Sequence, residues 1–157
     1  MSSASYSPRK LFTVEQANAA LPLVRAICTD LAQLSREVIE RRERLALLRA
    51  GRQGSKTHGL YSEELTQVED ELQKDTERLQ EYVEELRSLG VEPKNGPEGL
   101  VDFPSEMDGR IVLLCWKLGE PEVLHWHELD AGFMGRQSLT AGSVAGDNSL
   151  DGEGAAE

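Results

Sequence analysis

His125 and His127 stand two residues apart in "VLHWHEL", with Trp126 between them, and the 157-residue chain has three histidines in all. On a strand, residues two apart point to one face, so both imidazoles would share a side while Trp126 and Leu124 take the other. Two imidazoles so placed can chelate a metal ion, and a nearby thiol would turn the choice towards zinc or copper. The thiol within reach is Cys115, and the turn after it decides whether it joins. A two-residue Gly119-Glu120 turn pairs Leu114 with His125 and Val112 with His127, which puts Cys115 on the far side. A three-residue turn, Gly119-Glu120-Pro121, pairs Cys115 with His125 and Leu113 with His127, and all three donors then share a face. Glycine at the first central position is the signature of the tightest hairpin, so the two-residue turn is the favoured expectation. The histidines are then hydrogen-bonded parts of the sheet rather than metal ligands.

A second place for chemistry follows in "DAGFMGRQSL". Its glycines allow close backbone approach, and Arg136 is a cation that could hold a carboxylate or phosphate. The alternative is an internal pair, with Asp102 or Asp130 as the acid. The residues expected around a small anionic ligand are Arg136, His127, Trp116, Asp102 and Asp130; those for a metal are His127, His125 and Cys115. No phosphate loop, nucleophile elbow or paired-carboxylate spacing is present. No catalytic residue and no cofactor is predicted, zinc or copper apart.

The elements that must position these groups are a helical hairpin and a small sheet. "LFTVEQANAALP" opens with Thr13 as a cap, Gln16 three residues on as in a capping box, and Phe12 as a staple. Pro22 predicts either a break at Leu21 or one kinked helix. Beyond it, Val24, Ile27, Leu31, Leu34, Val38, Arg41, Leu45 and Leu48 recur in steps of three and four. "AGRQGSKTHG" ends this helix, and Ser62 caps a second that runs to about Leu89. Its seam is Leu65, Val68, Leu72, Asp75, Leu79, Tyr82, Leu86 and Leu89, and Gly90 is its stop. An antiparallel pairing sets Leu48 by Val68 and Leu45 by Leu72. It also sets Arg41 against Asp75, the one polar interruption in each seam, so a salt bridge is expected there. Ala32, Ile39 and Ala46 make a further stripe that needs a covering from the C-terminal segment or a second subunit.

After "VEPKNGPEG" the pattern shortens to "LVDFP", "RIVLLCWKL" and "EVLHWHEL", predicting a three-stranded antiparallel meander over residues 99–129. The fold class is therefore α+β. The expected layout is a disordered head at 1–10, one domain at 11–139 (hairpin 11–90, meander, and a glycine and arginine loop at 130–139), and a disordered acidic tail at 140–157.

Charge narrows the partners. The chain carries 28 acids against 17 bases, and 24 against 15 without the tail's four acids and the head's Arg9 and Lys10. Such a surface repels phosphate backbones and anionic membranes, so neither is an expected partner. No apolar run has the length of a membrane span or a secretory signal, and the two cysteines make no disulfide framework; the expected compartment is the cytoplasm.

The front "LFTVEQANAALP" and the block "GLVDFPSEMDGRIVLLCWKLGEPEVLHWHELDAGFMGRQ" resemble a bacterial family catalogued as the domain of unknown function numbered 2203. The resemblance spans about residues 11–139. The positions matching its more specific C-terminal block are Asp102, Phe103, Pro104, Gly109, Cys115, Trp116, Gly119, Glu120, Trp126, His127, Gly132, Phe133, Gly135 and Arg136. His125 is outside that pattern, which weakens a two-histidine metal site. The resemblance implies no activity; it points to the sheet and its trailing loop. The leading expectation is a non-enzymatic interaction module, homodimeric or binding another protein through its hairpin. The competing one is a metal- or small-anion-binding protein, with an enzyme third.

Overall fold

A computed structural model of the protein describes residues 6–53 and 60–139. The readings of the glycine-rich break with His58, of the first five residues and of the tail at 140–157 lie outside them.

Helix α1 runs unbroken over Val14–Gln53 with Pro22 inside it, and α2 over Leu60–Ser88. The capping box forms in both directions: Gln16 N donates to Thr13 Oγ1 and Thr13 N to Gln16 Oε1, each at 3.0 Å. Pro22 lacks the N–H that would bond the Asn18 carbonyl, yet its exposed ring leaves the helix continuous. Helix α2 starts two residues ahead of Ser62, which is therefore inside the helix and not its cap. It stops in a Schellman motif: Val91 N donates to Leu86 O at 3.0 Å, Gly90 N to Arg87 O at 2.9 Å, and Gly90 has φ 90°.

Far from the sheet, Leu45, Leu65 and Val68 bury one another against Leu48 and Leu72. Arg41 Nη1 meets Asp75 Oδ2 across the seam, with Glu71 and Glu37 also near the guanidinium, which is one-third exposed. Arg44–Glu64 and Arg49–Glu69 continue the cross-helix pairing. Among the described residues, no helix is long and apolar enough to cross a membrane.

The sheet has five strands rather than three: β1 Glu92–Asn95, β2 Leu100–Met107, β3 Arg110–Lys117, β4 His125–His127 and β5 Gln137–Ser138, antiparallel in that order. Strand β1 lies between the expected hairpin and meander, where no strand was predicted; Pro93 is tolerated because this is an edge, and the ladder slips between Pro93 and Asn95. Between β2 and β3 the turn is only Asp108-Gly109, both at positive φ, so "SEM" belongs to the strand. Beyond β4, the chain makes one 3-10 turn at Phe133–Gly135 and returns as β5.

One face of the sheet supplies Val101, Phe103, Val112, Leu114, Trp116 and Trp126 to a core shared with Ala17, Leu21, Val24, Cys28 and Leu86. The sheet thus sits at the base of the hairpin. Alternation sends Asp102, Cys115, His125 and His127 to the opposite face.

Candidate metal centre

The register of β3 with β4 brings the donors together. Leu113 pairs with His127 and Cys115 with His125, so the favoured two-residue turn does not form and the thiol shares a face with both histidines. The reason is that residues 118–124 are not a hairpin turn at all. Glu120 N donates to Lys117 O and the Glu120 carboxylate accepts from Lys117 N, both at 3.0 Å. Further on, Val123 N donates to Asn18 Oδ1 at 2.7 Å and Arg25 to Pro121 O at 3.2 Å. Val123 is buried in the core, so packing against α1 sets the length of this link.

Asp102, Cys115 and His127 are each at most 2% exposed, and one donor atom from each lies within 4.8 Å of the other two. Asp102 is opposite Cys115 in the β2–β3 ladder. His127 Nδ1 is 2.7 Å from the Glu128 carbonyl, which can only accept, so the ring proton resides on Nδ1. The Nε2 lone pair then faces Asp102 Oδ1 at 3.2 Å. Two acceptors at that distance need a positive particle between them. A proton or a metal ion can take that place.

The environment favours protons over bare charge. Burial raises the Asp102 carboxyl above its ordinary range, although His127 and a hydrogen bond from the Cys115 thiol oppose the shift. Burial, with the Asp102 charge adding to it, pushes the Cys115 thiol up to about 12. Cys115 is therefore a protonated thiol here and no nucleophile. Burial also raises the Tyr6 phenol, with Glu92 and Asp102 contributing.

Arg136 lies beside this cluster. Its guanidinium takes Glu120 in a two-pronged pair at 2.7 and 2.9 Å and reaches the Cys115 carbonyl at 3.2 Å. The acid is thus Glu120, and neither Asp102 nor Asp130. Burial alone would raise the Glu120 carboxyl, but Arg136 and the Lys117 N–H outweigh it and hold it low. Phe133 stacks against the guanidinium at 4.5 Å. Arg136 is satisfied internally, with only Nε left buried and unpartnered.

The other expected site residues lie elsewhere. Trp116 points into the helix-facing core, fully buried, and donates Nε1 to Glu120 O at 3.0 Å. Asp130 is exposed on the trailing loop. His125 shares the face but falls outside the donor group, and its Nδ1 is buried without a partner. Asp102, read first as an anion-side residue, is the third donor. Glu120 was missed as a site residue; the signal was an acid three residues beyond Lys117, where it can fold back on that N–H.

A family model described as an uncharacterized conserved protein, the domain of unknown function 2203, matches residues 10–139. The chain belongs to this family. No match was found among curated proteins or among solved structures. The matched span contains the three donors, Glu120 and Arg136.

Proposed function

We propose that this member of the family binds one divalent transition-metal ion, of the zinc class, through Asp102, Cys115 and His127. The observation that carries this reading is the facing pair of His127 Nε2 and Asp102 Oδ1, with the Cys115 sulfur beside them. An imidazole whose Nδ1–H is fixed on a backbone carbonyl is held in the tautomer and orientation that offer Nε2 to a metal. Thiolate, carboxylate and neutral imidazole together offset the two charges of the ion, so the filled site is neutral while buried. Tetrahedral zinc needs donors about 3.3–3.8 Å apart, given its usual bond lengths. The Asp102–His127 pair, at 3.2 Å, lies just short of this range; the widest pair, at up to 4.8 Å, must close by roughly 1 Å. Three protein donors leave a fourth position for water or a small anion.

Cobalt(II) titration tests the reading, because a cobalt–thiolate bond absorbs in the near ultraviolet. Saturation at one ion per chain, with the band lost in Cys115→Ser, is the expected result. Cobalt binding that is absent, or unchanged in Cys115→Ser and His127→Ala, would overturn it.

A second reading, protein interaction through the hairpin, rests on Leu47, which is 74% exposed beside exposed Ala46. Both lie in the half of α1 that the sheet does not cover. Light scattering across a concentration series tests self-association, and Leu47→Glu should abolish any dimer that forms.

A further inference from the structure

A groove of about 330 Å³ lies between α1, α2 and the β1–β2 turn, on the side of the molecule away from the histidines' strand. Its apolar lining comes from Leu31 and Val38 of α1, Leu79 and Val83 of α2, and Pro93 and Pro97 of the turn region. Ile39, 43% exposed, forms part of the wall. The wall on the sheet side is built in advance of any ligand. Gly99 N donates to Gly96 O and Glu98 N to Asn95 Oδ1, each at 3.0 Å, and the two prolines stiffen what those bonds close. A Cβ on Gly96 would stand 2.6 Å from Ser35 Oγ, so the turn is seated directly on α1.

The charge of the lining runs against that of the protein. In a chain with 28 acids and 17 bases, the described residues that line this groove include Arg42, Arg87 and Lys94 and no acid. Arg87 shares Glu92 at 3.1 Å, whereas Arg42 makes no ion pair among the described residues. An apolar channel with a cationic rim is complementary to a chain with one anionic end, and its volume is at the small end of the range for ligand pockets. A cationic or zwitterionic amphiphile gains nothing from this rim, and a purely polar anion gains nothing from the lining.

We infer that this groove binds an amphipathic anion: an unbranched aliphatic chain, laid between Val38, Leu79 and Val83, with a carboxylate at Arg42. This site is separate from the metal centre and does not depend on it.

Decanoate, kept below its micelle-forming concentration, is the probe, with methyl-labelled protein as the reporter. Saturable one-to-one shifts confined to the methyls of Leu31, Val38, Ile39, Leu79 and Val83 are expected. Shortening the probe to octanoate should weaken binding about fifteenfold, from two lost methylenes. Arg42→Glu, an exposed change that leaves the lining intact, should weaken decanoate about fivefold or more. Decyltrimethylammonium should not produce the shifts. The inference is overturned by equal binding of the cationic amphiphile. It is also overturned by shifts at Leu45 and Leu65 as large as those in the groove, or by no saturable shift at all. Groove methyls that move with protein concentration alone would overturn it too, since a second copy would then be the occupant.

Discussion

Asp102 carries the main cost of the proposed centre. A carboxylate at 1% exposure is stabilised by a thiol and an imidazole, and its raised pKa shows that these do not fully replace water. For an acid with its folded pKa above the ordinary 3.8, the metal-free fold gains stability as pH falls through the folded value and loses it above. Asp102→Asn should therefore leave metal-free protein as stable at pH 7 as the wild type, or more stable by about 1 kcal/mol, while removing metal affinity. Urea unfolding of the two chains in the presence of a chelator measures this. Glu120 has the opposite sign. Its folded pKa lies below the ordinary 4.5, so its pair with Arg136 contributes above that value and is lost as pH falls through the folded one. Glu120→Gln should cost roughly 2 kcal/mol at neutral pH, between the ranges of exposed and buried pairs, with the difference from wild type fading as pH falls below the ordinary carboxylate value. Unfolding midpoints from pH 7 to pH 3 for both chains check the sign as well as the size.

At the scale of elements, the hairpin and the sheet differ in what sets their geometry. The hairpin is governed by local periodicity, a reciprocal cap at Thr13 and Gln16, and a glycine stop at Gly90, all readable along the chain. Its polar seam pair should add little energy. Arg41 is 33% exposed, so a double-mutant cycle with Arg41→Leu and Asp75→Leu should give a coupling below about 1 kcal/mol; a value of several would mean a desolvated pair. Strand β1 was hidden by Pro93 and Asn95, residue types that strands disfavour, and β5 by its two-residue length. The first strand was read only as far as Pro104, although the Asp108-Gly109 pair is the residue signature of a tight hairpin turn. The β3–β4 register was the costliest miss. Gly119 reads locally as a hairpin turn, but the register depends on Val123 and Asn18, 105 residues apart. No local rule contains that contact, so the side on which Cys115 lies could not be read from the turn residues.

On the whole-molecule scale, the protein is a sheet set at the base of a two-helix hairpin, with its polar cluster on the face turned away from the helices. That placement explains how three ionisable groups can be buried in so small a fold without disturbing the helix-facing core. It also divides the surface into a distal hairpin with exposed Leu47, a cation-rimmed groove, and the loop that places Arg136 beside the donor cluster. The metal reading makes a stoichiometric demand on the entire chain, because the Cys115 thiol, which burial pushes up to about 12, must give up its proton when the centre fills. Zinc calorimetry on full-length protein, in two buffers of different ionisation enthalpy, measures ion count and proton release together. One zinc per chain with at least one proton released, and both signals lost in Asp102→Asn, is the predicted result. No binding, or binding with no proton release and no dependence on Asp102, would contradict it.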